Sequence, residues 1–255
     1  VLVLVLAFLS QQSSAFLSPQ NLLNQGRLMS EVGLVALPMT YIIITGGIDL
    51  SVGSTLGLCA ILLGVLWQLG APLAVVLGLV LLVGLVAGLF NGLLIVRLGV
   101  PPLIMTLATL ALYRGLAQGV SQARSVTGYP EWFFAFGQGS VLGLPVQLWL
   151  FIVAMIGSAL VLRLSTLGRT LYAVGNNPLG ARFAGLPVGR SLLVVYGFSG
   201  LMAAVSAILF VSRVTTTRSD MGSGLELDAI AAVVLGGTSI FGGKGSILGT
   251  VLGLV

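Results

Sequence analysis

Long apolar runs dominate the chain, and short polar or glycine-containing segments separate them. A bilayer core about 30 Å thick is crossed by about 20 apolar residues in a helix. The runs predict spans at about 1–17, 32 to the glycine pair Gly46–Gly47, 51–66, 73–96, 103–119, 148–164 and 191–212. Later apolar sequence breaks again at Gly242–Gly245. The pattern predicts an all-α, polytopic integral membrane protein with about eight or more transmembrane helices and two glycine-rich helix breaks.

The segments between these spans are polar. They are a loop containing Pro19, Arg27 and Glu31, a long loop at 120–147, a basic loop at 165–190 and a second polar loop at 213–228. Both ends of the sequence stop inside apolar runs. We therefore expect 1–255 to be a single transmembrane domain truncated at both ends.

Composition supports a membrane location and excludes several functions. Apolar residues make up 57% of the chain, charged residues 7%, and the mean hydropathy is +1.15. Soluble domains carry about 25% charged residues, so the bilayer is the expected environment. With no histidine and one cysteine, we expect no metal and no cofactor in this chain. The net charge of +5 comes from scattered arginines rather than a basic stripe, so no nucleic-acid partner is expected.

The distribution of charge predicts an orientation. If loop 165–190 is cytoplasmic, alternating spans place six basic residues on that side: Arg97, Arg163, Arg169, Arg182, Arg190 and Lys244. The opposite side then holds five basic and five acidic residues: Arg27, Arg114, Arg124, Arg213, Arg218, Glu31, Glu131, Asp220, Glu226 and Asp228. The positive-inside rule favours this arrangement.

The basic loop contains a short helix signal. Asn177 and Pro178 are typical of a turn and a helix start, and Leu179–Leu186 is predicted to be helical with Arg182 on it. Pro187 is predicted to end this helix, and Gly185 lies close by. Such a helix could dock a soluble partner, or it could lie on anionic lipid.

Two glycine-rich segments resemble each other. The sequence GSTLG at 53–57 recurs as GSILG at 245–249, and a glycine pair precedes each copy. Paired interruptions of this kind in transporters mark discontinuous helices that line a pathway. The residues predicted for these breaks are Gly46, Gly47, Asp49, Ser51, Gly53 and Ser54 in the first, and Gly236, Gly237, Gly242, Gly243, Lys244 and Gly245 in the second.

Asp49 is the one carboxylate inside the first break. An ionisable residue within a span costs at least about 2.5 kcal/mol and is a candidate for function. It could cap the helix that begins near Ser51 by accepting backbone N–H bonds. It could also line a substrate or gating path, or lie at the cytoplasmic interface. We favour the cap.

Two further patterns concern packing and ATP. Glycines repeat every four residues at Gly84, Gly88 and Gly92, and again at Gly245, Gly249 and Gly253. Such faces allow close helix contact within the chain or, alternatively, between subunits. The segment GGTSIFGGKGS fails as a phosphate-binding loop, because Gly245 follows Lys244 where Ser or Thr is required and Thr238 replaces the first glycine.

Three segments resemble a known family. The sequences GGIDLSVGS at 46–54, GNNPLGARFAGLPVGR at 175–190 and LDAIAAVVLGGTSIFGGKGSILGT at 227–250 look like the permease subunits of bacterial ABC importers for ribose, xylose and related sugars. Within that family, the sequence around 35–72 and SRVTTTRSDMG at 212–222 are most similar to autoinducer-2 permeases and their rhamnose-transporting relatives.

The resemblance implies a multi-pass protein of the bacterial inner membrane. It implies a second permease subunit, identical or paralogous, a periplasmic sugar-binding protein, and separate ATPase subunits that hydrolyse ATP, so this chain is not itself an enzyme. The ATPase would grip loop 165–190, through the segment containing Asn177, Pro178, Gly180, Ala181, Arg182, Ala184 and Gly185.

Other functions are open on the sequence. An ion-coupled secondary transporter of a small polar solute would use Asp49 as its coupling group. An intramembrane enzyme lacks a catalytic pair, since no histidine is present. A purely structural scaffold leaves the repeated breaks unexplained.

Overall fold

The computed structural model describes residues 8, 11–12, 18–122 and 124–255, and from residue 18 onward these are mostly helical. The helices are α1 (Pro19–Ile44), α2 (Val52–Gln68), α3 (Leu73–Leu98), α4 (Pro102–Ser121), α5 (Glu131–Gln138), α6 (Val146–Leu164), α7 (Thr166–Asn176), α8 (Pro178–Phe183), α9 (Val188–Val214), α10 (Leu225–Leu235) and α11 (Ile247–Leu254). A hairpin of two short antiparallel strands, β1 (Ser140–Val141) and β2 (Leu144–Pro145), precedes α6.

Five helices of the described part are long and apolar enough to cross a membrane, namely α1, α3, α4, α6 and α9. Helix α2 is apolar but shorter, at 17 residues. These six helices correspond to the predicted spans from the second to the seventh. The predicted span 1–17 lies outside the described residues except for 8, 11 and 12. The count of eight or more therefore stays a prediction.

Helix α1 begins 13 residues before the predicted start of its span, so the predicted polar loop around Arg27 is helical. Ser18 caps the helix, with its Oγ accepting a bond from the backbone N–H of Asn21 at 3.3 Å, and Pro19 occupies the first turn. Proline tolerates that position because the first N–H groups of a helix need no internal partner. The prediction failed because polar residues also extend helices beyond the apolar core.

The segment 120–147 is not the plain loop that the sequence predicted. It contains α5 and the β1–β2 hairpin. Phe133 is fully buried, and the backbone N–H of Gly137 donates to Ser212 Oγ at 2.8 Å. Helix α5 therefore packs against the end of α9 rather than standing free.

Helix α9 lies at the centre of the described bundle and packs against α1, α2, α3 and α5. Its contact with α3 is close because glycines face each other. A Cβ at Gly88 would overlap the carbonyl oxygen of Tyr196, and one at Gly200 would overlap that of Gly84. The predicted glycine face thus packs within this chain.

The last two helices, α10 and α11, form an antiparallel pair on either side of the second break. A Cβ at Gly249 would overlap the carbonyl oxygen of Gly236, and one at Gly253 would overlap that of Ala232. This second glycine face is also used inside the chain.

Candidate functional site

Asp49 is buried, 2% exposed, and organises the segment between α1 and α2. Its Oδ1 accepts bonds from the backbone N–H and the hydroxyl of Ser51, at 2.9 and 2.6 Å. Its Oδ2 accepts a bond from the Ser199 hydroxyl on α9 at 2.8 Å. Asn91 on α3 donates to Ser51 Oγ at 2.8 Å. One carboxylate thus ties the break to two other helices.

The cap interpretation accounts for part of this geometry. Asp49 does accept a backbone N–H at the start of α2, from Ser51, the residue that precedes the helix. Its remaining bonds come from hydroxyl groups, one of them on a distant helix. Asp49 therefore links two helices by hydrogen bonds, in addition to accepting a backbone N–H at the start of α2.

This network lies inside the bundle rather than at its end. Ser199 is 11 residues into α9, or about 16 Å along the helix axis at 1.5 Å per residue. Asn91 lies seven residues before the end of α3, about 10 Å from it. Helix α2 therefore begins inside the bundle, away from the ends of α3 and α9.

The loop before α10 reaches the same depth and packs on the start of α2. A Cβ at Gly53 would overlap both Gly222 O and Glu226 Oε2. Arg114 on α4 fixes this loop, because its Nη1 donates to the carbonyl oxygens of Ser219 and Met221, both at 2.8 Å. The bundle thus holds non-helical backbone beside the start of α2, as permitted where protein covers it.

The two glycine breaks touch each other at the end of α1. The backbone N–H of Gly243 donates to Ile44 O at 2.9 Å. A Cβ at Gly242 would lie 3.0 Å from the backbone nitrogen of Gly46. Gly46, Gly242 and Gly243 all have positive φ, between 75° and 86°, which glycine adopts without strain. Lys244, next in the chain, is exposed.

The predicted break residues thus fall into separate groups. Gly46, Gly242, Gly243 and Gly245 meet near Ile44. Asp49 and Ser51 belong to the buried network, and the Ser54 hydroxyl donates to Ser51 O at 2.8 Å. Gly53 faces the loop before α10, and Gly236 packs on α11. Gly47 is buried beside Tyr196, and Gly237 is exposed.

The basic segment forms two helices, α7 and α8, where the sequence predicted a loop with one short helix. Asn177 Oδ1 accepts a bond from the backbone N–H of Gly180 at 2.9 Å, and Pro178 follows it, as predicted for the start of α8. The predicted end at Pro187 is wrong. Helix α8 ends at Phe183, and Gly185 turns the chain at a φ of 75°.

Most of the surface of helix α8 is exposed in the described part of the chain. Ala181 is buried, and the other predicted docking residues are exposed: Asn177, Pro178, Gly180, Arg182, Ala184 and Gly185. Leu179 and Phe183 are 65% and 90% exposed. These two apolar side chains are four residues apart and so share one helix face.

Several residues of the site were not predicted from the sequence. They are Asn91, Ser199, Arg114, Gly175, Gly222 and Glu226. Ser199 lies 150 residues from Asp49, and serine is common in apolar helices. The one available signal was the charge of Arg114 and Glu226 inside or beside apolar sequence.

Members of the two charge groups predicted from the sequence lie at different heights along α1. Arg27 donates to Gln138 O, and Glu31 pairs with Arg213, so these residues gather along the first half of α1. Gly175, Gly243 and the start of α8 gather at its other end. Glu31 and Ile44 are 13 residues apart on α1, so the two groups lie about 20 Å apart along the helix axis.

An apolar helical bundle in which a helix begins inside the bundle, with an exposed basic segment at one end, is typical of a membrane transport protein. The family model described as "Branched-chain amino acid transport system / permease component" matches residues 21–254. Among curated proteins, the chain is similar to the autoinducer 2 import system permease proteins LsrD of Yersinia enterocolitica (44% identical) and Enterobacter sp. strain 638 (46% identical). The alignments cover 88% and 87% of this chain and 70% and 69% of the relatives. No solved structure matches the chain significantly.

The chain belongs to this family of ABC importer permease components. It is a multi-pass protein of the inner membrane. Membership also implies that an ATPase and a binding protein act with it.

Proposed function

We propose that this chain is the permease subunit of an importer for a small sugar-like solute, with autoinducer 2 as the first candidate. The proposal of the solute rests on the relatives at 43–46% identity, whose names specify autoinducer 2 import. Rhamnose and ribose are the related solutes to compare. A second permease subunit completes the pathway, and the binding protein delivers the solute to the end that holds Arg27 and Arg213.

The buried start of α2 is the main observation that supports a solute pathway through this chain. Non-helical backbone is stable at membrane depth only where protein or water covers it. Asp49, Ser51 and Ser199 offer polar groups beside this start, and the loop at Gly222 packs against it. In this proposal the two glycine breaks belong to a pathway formed by eight or more spans, including sequence beyond the described residues.

Helix α8 is proposed as the cytoplasmic docking element for the ATPase. Leu179 and Phe183 supply exposed apolar surface, and Arg182 supplies charge beside it. ATP hydrolysis then takes place on the partner chain, which agrees with the failed phosphate-loop pattern at Lys244.

The test is uptake by proteoliposomes that contain the full-length chain, its second permease subunit and the ATPase, with the binding protein outside. We expect uptake of autoinducer 2 to require ATP and the ATPase, and to exceed uptake of rhamnose and ribose. Uptake that persists without the ATPase and stops when the ion gradient is collapsed would contradict the proposal and favour an ion-coupled transporter.

In the same preparation, Arg182→Glu should lower recovery of the ATPase with the permease, because it reverses the charge of the docking helix. Arg124→Glu is the matched control, since Arg124 is also exposed and lies near the opposite end. Equal recovery of the ATPase by both variants would contradict the assignment of α8.

A further inference from the structure

Three segments meet at the end of α1 through their backbones. They are the first glycine break, the second glycine break and the C-terminal turn of α7. We name the contact formed by Gly46, Gly175, Gly242, Gly243 and Gly245 the glycine junction. Gly243 N–H donates to Ile44 O at 2.9 Å, and the Cβ position of Gly242 is 3.0 Å from both Gly46 N and Gly175 O.

Gly175 lies at the centre of this junction. A Cβ there would overlap Ile44 O and Gly243 N, so it would push against both breaks at once. Gly175 lies within α7, and its backbone does not need positive φ. Alanine would be the better helix former at this position. The space around Gly175, and not its backbone conformation, therefore requires a residue without a side chain.

A side-chain bond secures the same contact. The hydroxyl of Tyr172, on α7, donates to Gly245 O at 2.8 Å. Partial burial raises the pKa of the Tyr172 phenol above its ordinary value, so the hydroxyl remains protonated and able to donate at neutral pH. Helix α7 is therefore attached to the second break by an anchor separate from Gly175.

The junction is also continuous with the docking element. Asn176 follows Gly175, and Asn177 is the N-cap of α8. Two residues thus separate the centre of the junction from the start of the exposed helix. The contacts around Gly175 are too close to absorb a shift of this segment without moving their neighbours.

We propose that Gly175 is a positioning residue that passes movement of α8 to both glycine breaks together. This inference rests on the proposed function, in which α8 docks the ATPase. Gly175 and Tyr172 do not touch the solute in this scheme. They determine how much opening of the pathway each ATP hydrolysed produces.

The experiment measures the ratio of solute uptake to ATP hydrolysis, with autoinducer 2 as the probe, in proteoliposomes of the full-length complex. Gly175→Ala should lower this ratio about tenfold, within the usual range of coupling between sites. Tyr172→Phe loses one hydrogen bond and should lower it about threefold. ATPase recovery with the permease should be unchanged in both variants, since α8 is intact.

Gly157→Ala is the matched control, because the same substitution meets no atom within 4 Å in α6. Its ratio should equal that of the wild type. Wild-type ratios in Gly175→Ala and Tyr172→Phe would overturn the inference. If Gly175→Ala does not assemble, Tyr172→Phe decides alone, and an unchanged ratio in it overturns the inference. Absence of ATP-dependent uptake by the wild-type complex would instead overturn the proposed function.

Discussion

Asp49 shows how one buried carboxylate can hold a broken helix in place. It accepts three hydrogen bonds, two from Ser51 and one from Ser199. A buried charge without such partners would be strongly destabilising. Because the donors come from the break and from α9, the bonds also fix where α2 begins.

A double-mutant cycle tests this role. Asp49→Asn replaces one carboxylate oxygen by an NH2 group, so it cannot keep the present acceptors for both Ser51 and Ser199. A bond to Ser199 would persist only if its hydroxyl accepted instead of donating. We expect Asp49→Asn and Ser199→Ala to be non-additive by about 1 kcal/mol in the free energy of unfolding. The free energy of unfolding of each variant is measured in detergent micelles, with circular dichroism as the signal for unfolding.

The control cycle pairs Asp49→Asn with Ser206→Ala. Ser206 is also buried on α9, but its hydroxyl donates to Glu31 O, away from Asp49. These two substitutions should be additive. Equal coupling energies in the two cycles would show that Asp49 and Ser199 do not act as a pair.

Sequence alone could identify Asp49 but not its partners. A single carboxylate between glycines in apolar sequence is conspicuous because burial of charge is costly. Ser199 and Asn91 carry no comparable signal, since hydroxyl and amide side chains occur in many membrane helices. Gly175 was likewise one of 36 glycines, and its contacts depend on the arrangement of three segments.

Helices α3 and α9 illustrate packing that depends on the absence of side chains. Lipid tails are as apolar as leucine, so burial from water does not drive helices together inside the membrane. Close approach of glycine backbones increases dispersion contacts instead. Gly88 and Gly200 permit this approach at the centre of the bundle.

Gly88→Ala should therefore separate the two helices. The added methyl overlaps the carbonyl oxygen of Tyr196, and overpacking of this kind costs about 1–3 kcal/mol. The thermal midpoint of the purified protein in detergent should fall. Gly78→Ala, on the same helix with no atom within 4 Å, should leave the midpoint nearly unchanged, and an equal fall in both variants would contradict the packing account.

Elements were predictable where apolar sequence is continuous. The span predicted at 73–96 is α3, Leu73–Leu98, because a long apolar run in lipid has no alternative to a helix. The polar segments were predicted poorly. Helix α7 was missed because Leu171 and Val174 are buried among polar neighbours, where a short amphipathic pattern is easily read as a loop.

Across the whole molecule, the described charged side chains differ in burial and in pairing. Glu31 and Arg213 form a bidentate ion pair, with Nε–Oε1 and Nη2–Oε2 distances of 2.6 and 2.9 Å, and Gln147 donates to the same carboxylate. This pair connects α1 to the last turn of α9. Arg182 and Arg190, at the end that holds α8, are exposed.

Glu31→Gln should destabilise the molecule by about 3 kcal/mol, because it leaves Arg213 without its buried counter-charge. Asp220→Asn is the control. It breaks the Arg218–Asp220 pair, whose side chains are about 60% exposed, so the cost should stay below about 1 kcal/mol. Unfolding by detergent or denaturant measures the free energy of unfolding of both variants. Equal losses of stability in the two variants would contradict a structural role for the buried pair.

The arrangement of the chain as a whole was predictable in part. Charge distribution separated Arg182 and Lys244 from Glu31 and Arg213. The contacts of the described residues place Glu31 and Arg213 beside the middle of α1 and the segment that holds Lys244 beside its C-terminal end. The contact between the two glycine breaks was not predictable, because about 200 residues separate Gly46 from Gly243. Only the fold shows that they touch.

The turn of the second break contains an exposed position that suits the attachment of a spectroscopic label. Phe241 is 94% exposed, next to the glycines that contact α1 and α7. The chain has one cysteine, Cys59, and it is buried. A Phe241→Cys variant would therefore react selectively with a nitroxide or fluorescent maleimide, and the attached label would report movement of this turn during ATP turnover without removing a packed side chain.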